Sequence, residues 1–522
     1  MPVSRRHVML QGAVIGAGVI SSTIPAMKAL AQGQPPLRRT LQGLAWNDPI
    51  VETYRDAVAQ LKAKPNSDKT GWAGLATIHG SNPGAYHFCP HGNWYFLPWH
   101  RAFVVTYERF IRKLTSNNDF AMPFWDWTSN PRMPAVFTAA KLPNGKPNAL
   151  FVDDKDFGQT WKRTWPATKA MPANIVGPAV LQQILAATDY EEFGTSRPKG
   201  QNNTNPSWVL KRTGDQGVLE FTPHNNVHNN IGGWMPSASS PRDPIFFMHH
   251  CNIDRIWAVW NSLPGNENSP DPLWRGMTFT NNFLNTDGSS WSPKVTDLFD
   301  PEKLGYTYGL ATPVASASPM PSLVAMRNKL ATVRAAPAAN AEGVKSFTAT
   351  PPTGAVGTAT APLNVAVNVD PALLASVTKR TPVASGADLA NFAAAQEQRA
   401  SGPRVLAFIR DVKVTGAQDT EYQVYLDTPE TNPQDGASDP SYVGTFGVFV
   451  HGEHAGHGGA EEADTNADPS FVLDLTAAIQ RVYGSGMTPG TIKLRFVPTV
   501  AKPGVRPGTI RPGQVEIVFL NT

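Results

Sequence analysis

Eight of the chain's 12 histidines fall in two short windows. His79, His87, His91 and His100 occur in TIHGSNPGAYHFCPHGNWYFLPWHRAF, and His224, His228, His249 and His250 in PHNNVH and FFMHHCNIDRIW. A lone histidine is ordinarily a core residue with its own hydrogen-bond partner, but a density this high points to metal ligation. Imidazole nitrogen suits Zn, Cu, Fe and Ni. His224 and His228 stand at i and i+4, so on a helix both rings project from one face. His249 and His250 are adjacent and point about 100° apart on a helix, so one of them joins that face. Each window therefore supplies three imidazoles, with no carboxylate ligand set for Mg or Ca. Glu-x-x-His pairs, which a di-iron bundle needs, are missing. A zinc-protease helix needs Glu directly after the first histidine, and Asn225 stands there. Two all-histidine groups face to face suit a pair of copper ions.

The surroundings agree with a dry site. Trp94, Phe96, Leu97 and Trp99 flank His100, and such a shell limits water access to a metal. Asp254 and Arg255, one turn beyond His250, are expected to form a structural ion pair. The two cysteines, Cys89 and Cys251, build no disulfide framework. Net charge is +4 over 522 residues, with no dense Lys/Arg block beyond the N-terminus, so nothing suggests a nucleic-acid partner. With 9% aromatic and 16% charged residues the composition is that of a folded chain, not a disordered tail.

The first residues read as an address. Arg5 and Arg6 precede an apolar run, and Ala29-Leu30-Ala31 makes a small-residue cleavage site. Ser4-Arg5-Arg6-His7-Val8-Met9-Leu10 resembles a twin-arginine export signal. Residues 1–33 are thus expected to be a removable leader, with the mature protein periplasmic or secreted and free of the membrane.

Beyond it, 34–310 reads as helices joined by long loops, with helical apolar spacing over 48–64, 101–114 and 245–263. Residues 311–345 turn to Ala, Pro and Ser and read as a linker carrying a short helix around 323–333. From 346 to 522 the period becomes two, in VLAFIRDVKV, EYQVYLD, YVGTFGVFV, TIKLRFVPT and QVEIVFL. A β-sandwich or jelly-roll-like domain is the natural reading. His451, His454 and His457, on a Gly-rich stretch, read as a polar loop.

The motifs LPWHRAF, PFWDW, PHNNVH and DPIFFMHHCNIDRIW, in that order, make the chain resemble the coupled binuclear (type 3) copper family of tyrosinases, catechol oxidases and molluscan haemocyanins. The resemblance spans roughly 48–263. It implies a mainly α copper domain with a four-helix-bundle core and two copper ions as cofactors. His79, His91 and His100 match the ligands of one copper, and His224, His228 and His250 those of the other, leaving His249 as a neighbour. His87 matches no ligand. Cys89-Pro90-His91 is similar to the Cys-x-His that forms a thioether in fungal and molluscan members. Phe246 resembles the aromatic packed over the second group. Glu220 and Asn225 match an acid–amide pair that would hold a water able to deprotonate a phenol.

The implied activity is o-hydroxylation of monophenols and oxidation of o-diphenols to o-quinones with dioxygen. The alternatives are a diphenol or o-aminophenol oxidase with the same site, or an oxygen carrier. Phenols and dioxygen are the expected partners, with a copper chaperone and a homo-oligomer as further candidates. The YVGTF stretch is similar to the C-terminal domain of plant polyphenol oxidases, which implies a cover over the site. Ser237, Ala238 and Ser239 are expected to leave the entrance open.

Overall fold

A computed structural model describes residues 34–310, 321–336, 341–379, 397–416, 420–449, 468–484, 489–500 and 505–521. The expected leader, part of the linker and His451, His454 and His457 lie outside the described residues. Among the described residues no helix is long and apolar enough to cross a membrane.

Helix α1, Pro49–Lys62, starts where local chemistry asks it to. Asp48 caps it by accepting from Ile50 N–H at 2.9 Å, Pro49 occupies the first turn, and Lys62 closes the last. It buries Val51, Tyr54, Val58 and Leu61 against α2, Phe96–Thr115. Helix α2 begins five residues earlier than its apolar spacing suggests, because Asn93 Oδ1 accepts from Tyr95 N–H at 3.0 Å just ahead of it. It ends at Ser116, whose φ of 51° is left-handed.

Where a core of four helices is expected, the fourth is short. Glu220–His224 is a π-helical turn running into the seven-residue α3, Asn225–Ile231. Pro223 has no N–H to give, which breaks the regular ladder. Helix α4, Ile245–Ser262, packs on α2, and just ahead of it Asp243 accepts from Ile245 N–H at 2.9 Å.

Buried charge ties α2 to α4. Asp254 accepts from Arg101 Nε at 2.5 Å, from Arg38 Nη1 at 3.0 Å and from Tyr306 at 2.7 Å, while Arg38 Nε reaches Glu108 at 3.0 Å. The ion pair expected of Asp254 and Arg255 is thus divided: Asp254 serves this network, and Arg255 turns outward to Asp126 at 3.4 Å. A hairpin of β1, Asp153–Asp156, and β2, Gln159–Lys162, lies on the loop that follows α3.

The C-terminal half is built on two sheets. The first runs β3-β9-β6-β11-β4, where β3 is Asp215–Gln216, β4 Val344–Ala349, β6 Arg404–Arg410, β9 Ser470–Asp474 and β11 Gln514–Leu520. The second runs β8-β7-β10-β5, where β5 is Leu363–Asn368, β7 Glu421–Leu426, β8 Tyr442–Gly447 and β10 Thr491–Thr499. Pairing is antiparallel throughout except β3 with β9, which is parallel in the register Asp215↔Ser470. Strand β3 comes from the helical half, so the first sheet spans both. One apolar core runs continuously through the helices and both sheets. The span read as a linker contributes α5, Pro321–Ala335, whose Met326, Leu330 and Val333 pack on Leu406, Phe408 and Val518 of the first sheet.

Candidate metal centre

The two histidine windows meet. His79 follows a short helix over Trp72–Ala76, His91 sits on the loop ahead of α2, and His100 lies in the second turn of α2. His224 ends the π-turn, His228 is on α3, and His249 and His250 are on α4. The ligand atoms of His79, Cys89, His91 and His100 lie within 4.8 Å of one another, as do those of His224, His228, His249 and His250. The groups face each other: the His100 and His250 rings stack at 4.4 Å and 8°, and His91 is 5.4 Å from His224. All seven histidines are buried.

Four of the rings are aimed through Nδ1. His79 Nδ1 meets Ala238 O at 2.6 Å, His100 Nδ1 meets Phe96 O at 2.8 Å and His228 Nδ1 meets Met235 O at 2.7 Å. His224 Nδ1 meets Asn225 Oδ1 at 2.8 Å. A carbonyl takes the Nδ1 proton, so Nε2 is left as a bare lone pair. His79 Nε2 and His224 Nε2 are buried without a protein partner, and His228 Nε2 and His250 Nε2 converge at 3.1 Å. Burial holds the imidazoles well below their ordinary range, His100 and His228 at about 3. They are neutral at ordinary pH, the state a metal needs. This donor set fits two metal ions.

His249 is held differently, since Trp127 of PFWDW donates to its Nδ1 at 3.2 Å. His87 is exposed, stacks on Phe88 at 3.8 Å and meets Thr77 O at 3.2 Å, away from the centre. Phe246 lies over His250 at 4.1 Å. Cys89 Sγ is buried 3.7 and 3.8 Å from the two ring nitrogens of His91 and 3.4 Å from His100 Nε2. Cys251 is buried in α4, and burial pushes its thiol up.

Glu220 accepts from Gly92 N–H at 2.8 Å and from the Thr195 hydroxyl. Burial raises its carboxyl to about 7 against these bonds and the nearby Arg212. Asn225 gives both amide hydrogens elsewhere, to Gln216 Oε1 at 3.0 Å and Gly447 O at 2.9 Å. The two residues expected to share a water therefore each serve other partners, and Asn225 retains only acceptor capacity. Ser237, Ala238 and Ser239, expected at an open rim, are buried, because Ala238 is needed behind His79.

The sequence reading missed Phe449. It follows β8 and enters the centre from the C-terminal half, 4.9 Å from His91 and His228 and 5.9 Å from His224. Its only sequence signal is its place at the end of an alternating strand. Tyr86 lies between His91, at 5.3 Å, and Arg212, whose guanidinium is 4.1 Å above its ring.

Fold and centre together set two facing, histidine-rich groups, each able to hold a metal ion, in a helical half joined to a C-terminal β region. Residues 69–263 match the tyrosinase family, described as the common central domain of tyrosinase. A tyrosinase of Hahella sp. (strain CCB-MM4) is 28% identical over 312 residues, covering 52% of this chain and 63% of that protein. A chloroplastic polyphenol oxidase of Malus domestica is 28% identical over 339 residues, covering 56% of this chain and 54% of that protein. In fold, the chain is similar to a latent aurone synthase (polyphenol oxidase), with a TM-score of 0.57 at 18% identity over 93% of this chain and 90% of that one. Latent apple tyrosinase gives 0.57 at 19%, over 93% and 97%. The match over residues 69–263 is to a dicopper family, and the two histidine groups within that span could each hold a metal ion. The sequence matches span about half to two-thirds of these two relatives' lengths.

Proposed function

We propose that the chain is a copper-dependent phenol oxidase that o-hydroxylates monophenols and oxidises o-diphenols to o-quinones with dioxygen. The observation that carries this reading is the pair of facing imidazole groups, in which the Nδ1 atoms of His79, His100, His224 and His228 are held by a carbonyl or amide oxygen. His79, His91 and His100 would hold one copper, and His224, His228 and His250 the other. Bound copper supplies dioxygen activation and the acceptance of two electrons.

The chain's own groups do the rest. The aromatic shell excludes water and keeps the imidazoles neutral. Phe246, packed on His250, limits where a substrate ring lies. Glu220, poised near neutrality, takes the phenolic proton at its carboxylate. Cys89 Sγ, alongside the His91 ring, would join it by a C–S bond. Both hydrogens and two electrons would pass to dioxygen, and that ring would lose its freedom to turn.

Two further readings have specific support. Phe449, seated among His91, His224 and His228, would fill the substrate's place and hold the enzyme latent until the C-terminal half moves. The commitment of Asn225 to Gln216 and Gly447 favours diphenol oxidation without hydroxylation while β8 stays docked. Export by the twin-arginine route rests on the leader sequence.

The deciding experiment measures copper per chain together with monophenol and diphenol turnover. Two copper ions and quinone from both substrates are expected. Quinone from diphenols alone selects the oxidase, and reversible oxygen binding without quinone selects the carrier. An intact mass lighter by two hydrogens carries the Cys89–His91 bond.

A further inference from the structure

The loop after α3 serves both metal groups. Met235 O aims His228 of one group and Ala238 O aims His79 of the other, at 2.7 and 2.6 Å. Ala238 N–H is itself fixed on Pro83 O at 3.0 Å. The loop leaves α3 through Gly232 and Gly233, at φ 72° and 62°. A Cβ on Gly232 would collide with Thr164, and one on Gly233 with the backbone of Lys162, so the loop lies directly on the end of the hairpin. Thr164 N–H donates to Ile231 O at 2.8 Å.

Between these fixed points stands Trp234. Its ring stacks on Trp161 of β2 at 4.1 Å and 9°, and its Nε1 donates to Asp154 of β1 at 2.9 Å. The Arg242 guanidinium covers it at 4.4 Å and is held by Asp156 at 2.7 Å. With Val152 these two tryptophans form a small apolar cluster of their own, separate from the main core. Nothing in the chemistry proposed above uses this cluster.

We infer that Trp234, clamped on the β1–β2 hairpin through Trp161, is a positioning residue that aims His79 and His228 together, so both metal groups rest on one scaffold. Flat stacking and a charged hydrogen bond fix the ring in plane and in rotation. Freeing it would let both carbonyls drift. His100, aimed from within its own helix, would keep its orientation. The inference rests on the copper reading of the six histidines.

The test follows bound copper in the full chain against a competing chelator. In Trp161→Ala both ions are expected to leave together, at affinities lowered by about tenfold, the low end for groups behind a ligand. Trp161→Phe, which keeps a stacking face, should restore both. Unchanged affinities, or weakening of one ion alone, overturn the inference. Should Trp161→Ala fail to fold, Asp154→Ala, which removes the acceptor of Trp234 Nε1 and leaves both indole rings, is read by the same criteria. A wild-type chain that binds no copper refutes the ligand assignment instead. The Nδ1–H resonances of His79 and His228 then decide: both should shift in Trp161→Ala while that of His100 stays, and no shift overturns the scaffold.

Discussion

Burial acts in opposite directions on the titratable groups of the centre. It strips imidazoles of their protons and gives one to a carboxylate, because in both cases the uncharged form is the cheaper to bury. Glu220 is the case with a kinetic signature. A base must be unprotonated to act, so monophenol turnover should rise with pH through about 7 and fall below it. In Glu220→Gln the pH–rate profile should lose that limb and monophenol kcat should drop by about a hundredfold. An unaltered profile would remove Glu220 from proton transfer. At this scale the grouping of the histidines was readable in the sequence because metal chemistry selects residue types and helical spacing selects faces. The choice of His250 over His249 agrees with the hydrogen bond from Trp127, a contact the sequence alone does not display. Phe449 was not readable, since its contact with His91 and His228 depends on how two halves of the chain dock and no local periodicity encodes that.

At the level of elements, three of the four asparagines of NNVHNN have a second use besides carrying His228. Asn225 and Asn229 donate to the carbonyls of Gly447 and Val448 at 2.9 and 3.0 Å, Thr222 donates to Thr445 O at 2.7 Å, and Asn230 reaches Glu421. Strand β8 is the edge of its sheet, and these side chains satisfy the edge that another strand would otherwise seek. Gly447 is the point of closest approach, where a Cβ would strike the Asn226 amide. Gly447→Ala should therefore loosen the docked edge, and Phe449→Ala should empty the ring's place. Loss of one buried aromatic, worth about 1.5–3 kcal/mol, corresponds to roughly ten- to a hundredfold more open enzyme. Both variants should raise diphenol oxidation by the intact chain, Phe449→Ala more so, and equal rates in wild type and variants would refute a blocking role. The alternating strands were legible from their period. LNVAVN and SFVLD went unread, because runs of only five or six residues are too short for their period alone to separate strand from helix. The linker's helix was foreseen, but not that it covers a sheet, because its apolar face is spread among alanines.

Across the whole molecule the halves are held by arginines of the C-terminal region facing acids of the helical one. Arg334 meets Asp189 at 3.3 Å, Arg404 meets Glu192 at 2.5 Å and Arg410 meets Asp215 at 3.1 Å. Glu421 is the exception, a buried carboxylate at the same boundary that is met by the amides of Asn230 and Asn174. Burial raises it from 4.5 to about 7. Between those values the unfolded chain sheds this proton while the folded chain keeps it, so stability falls as pH rises and stays lower above 7. Glu421→Gln removes that dependence. Its melting temperature should match wild type near pH 4 and exceed it at about pH 8, by up to about 3 kcal/mol in stability. A constant difference across that range would show that Glu421 does not titrate in the fold.

Strand β3 belongs by sequence to the helical half and by pairing to the C-terminal sheet, running parallel to β9. Severing the peptide backbone within 311–320 would thus not yield two molecules. The fragments would travel as one particle through size-exclusion chromatography, sharing a sheet that no longer shares a chain. Separation would then be a peeling event with its own half-life. A protease would set a clock rather than throw a switch, and the enzyme would wake with a lag that outlasts the cut.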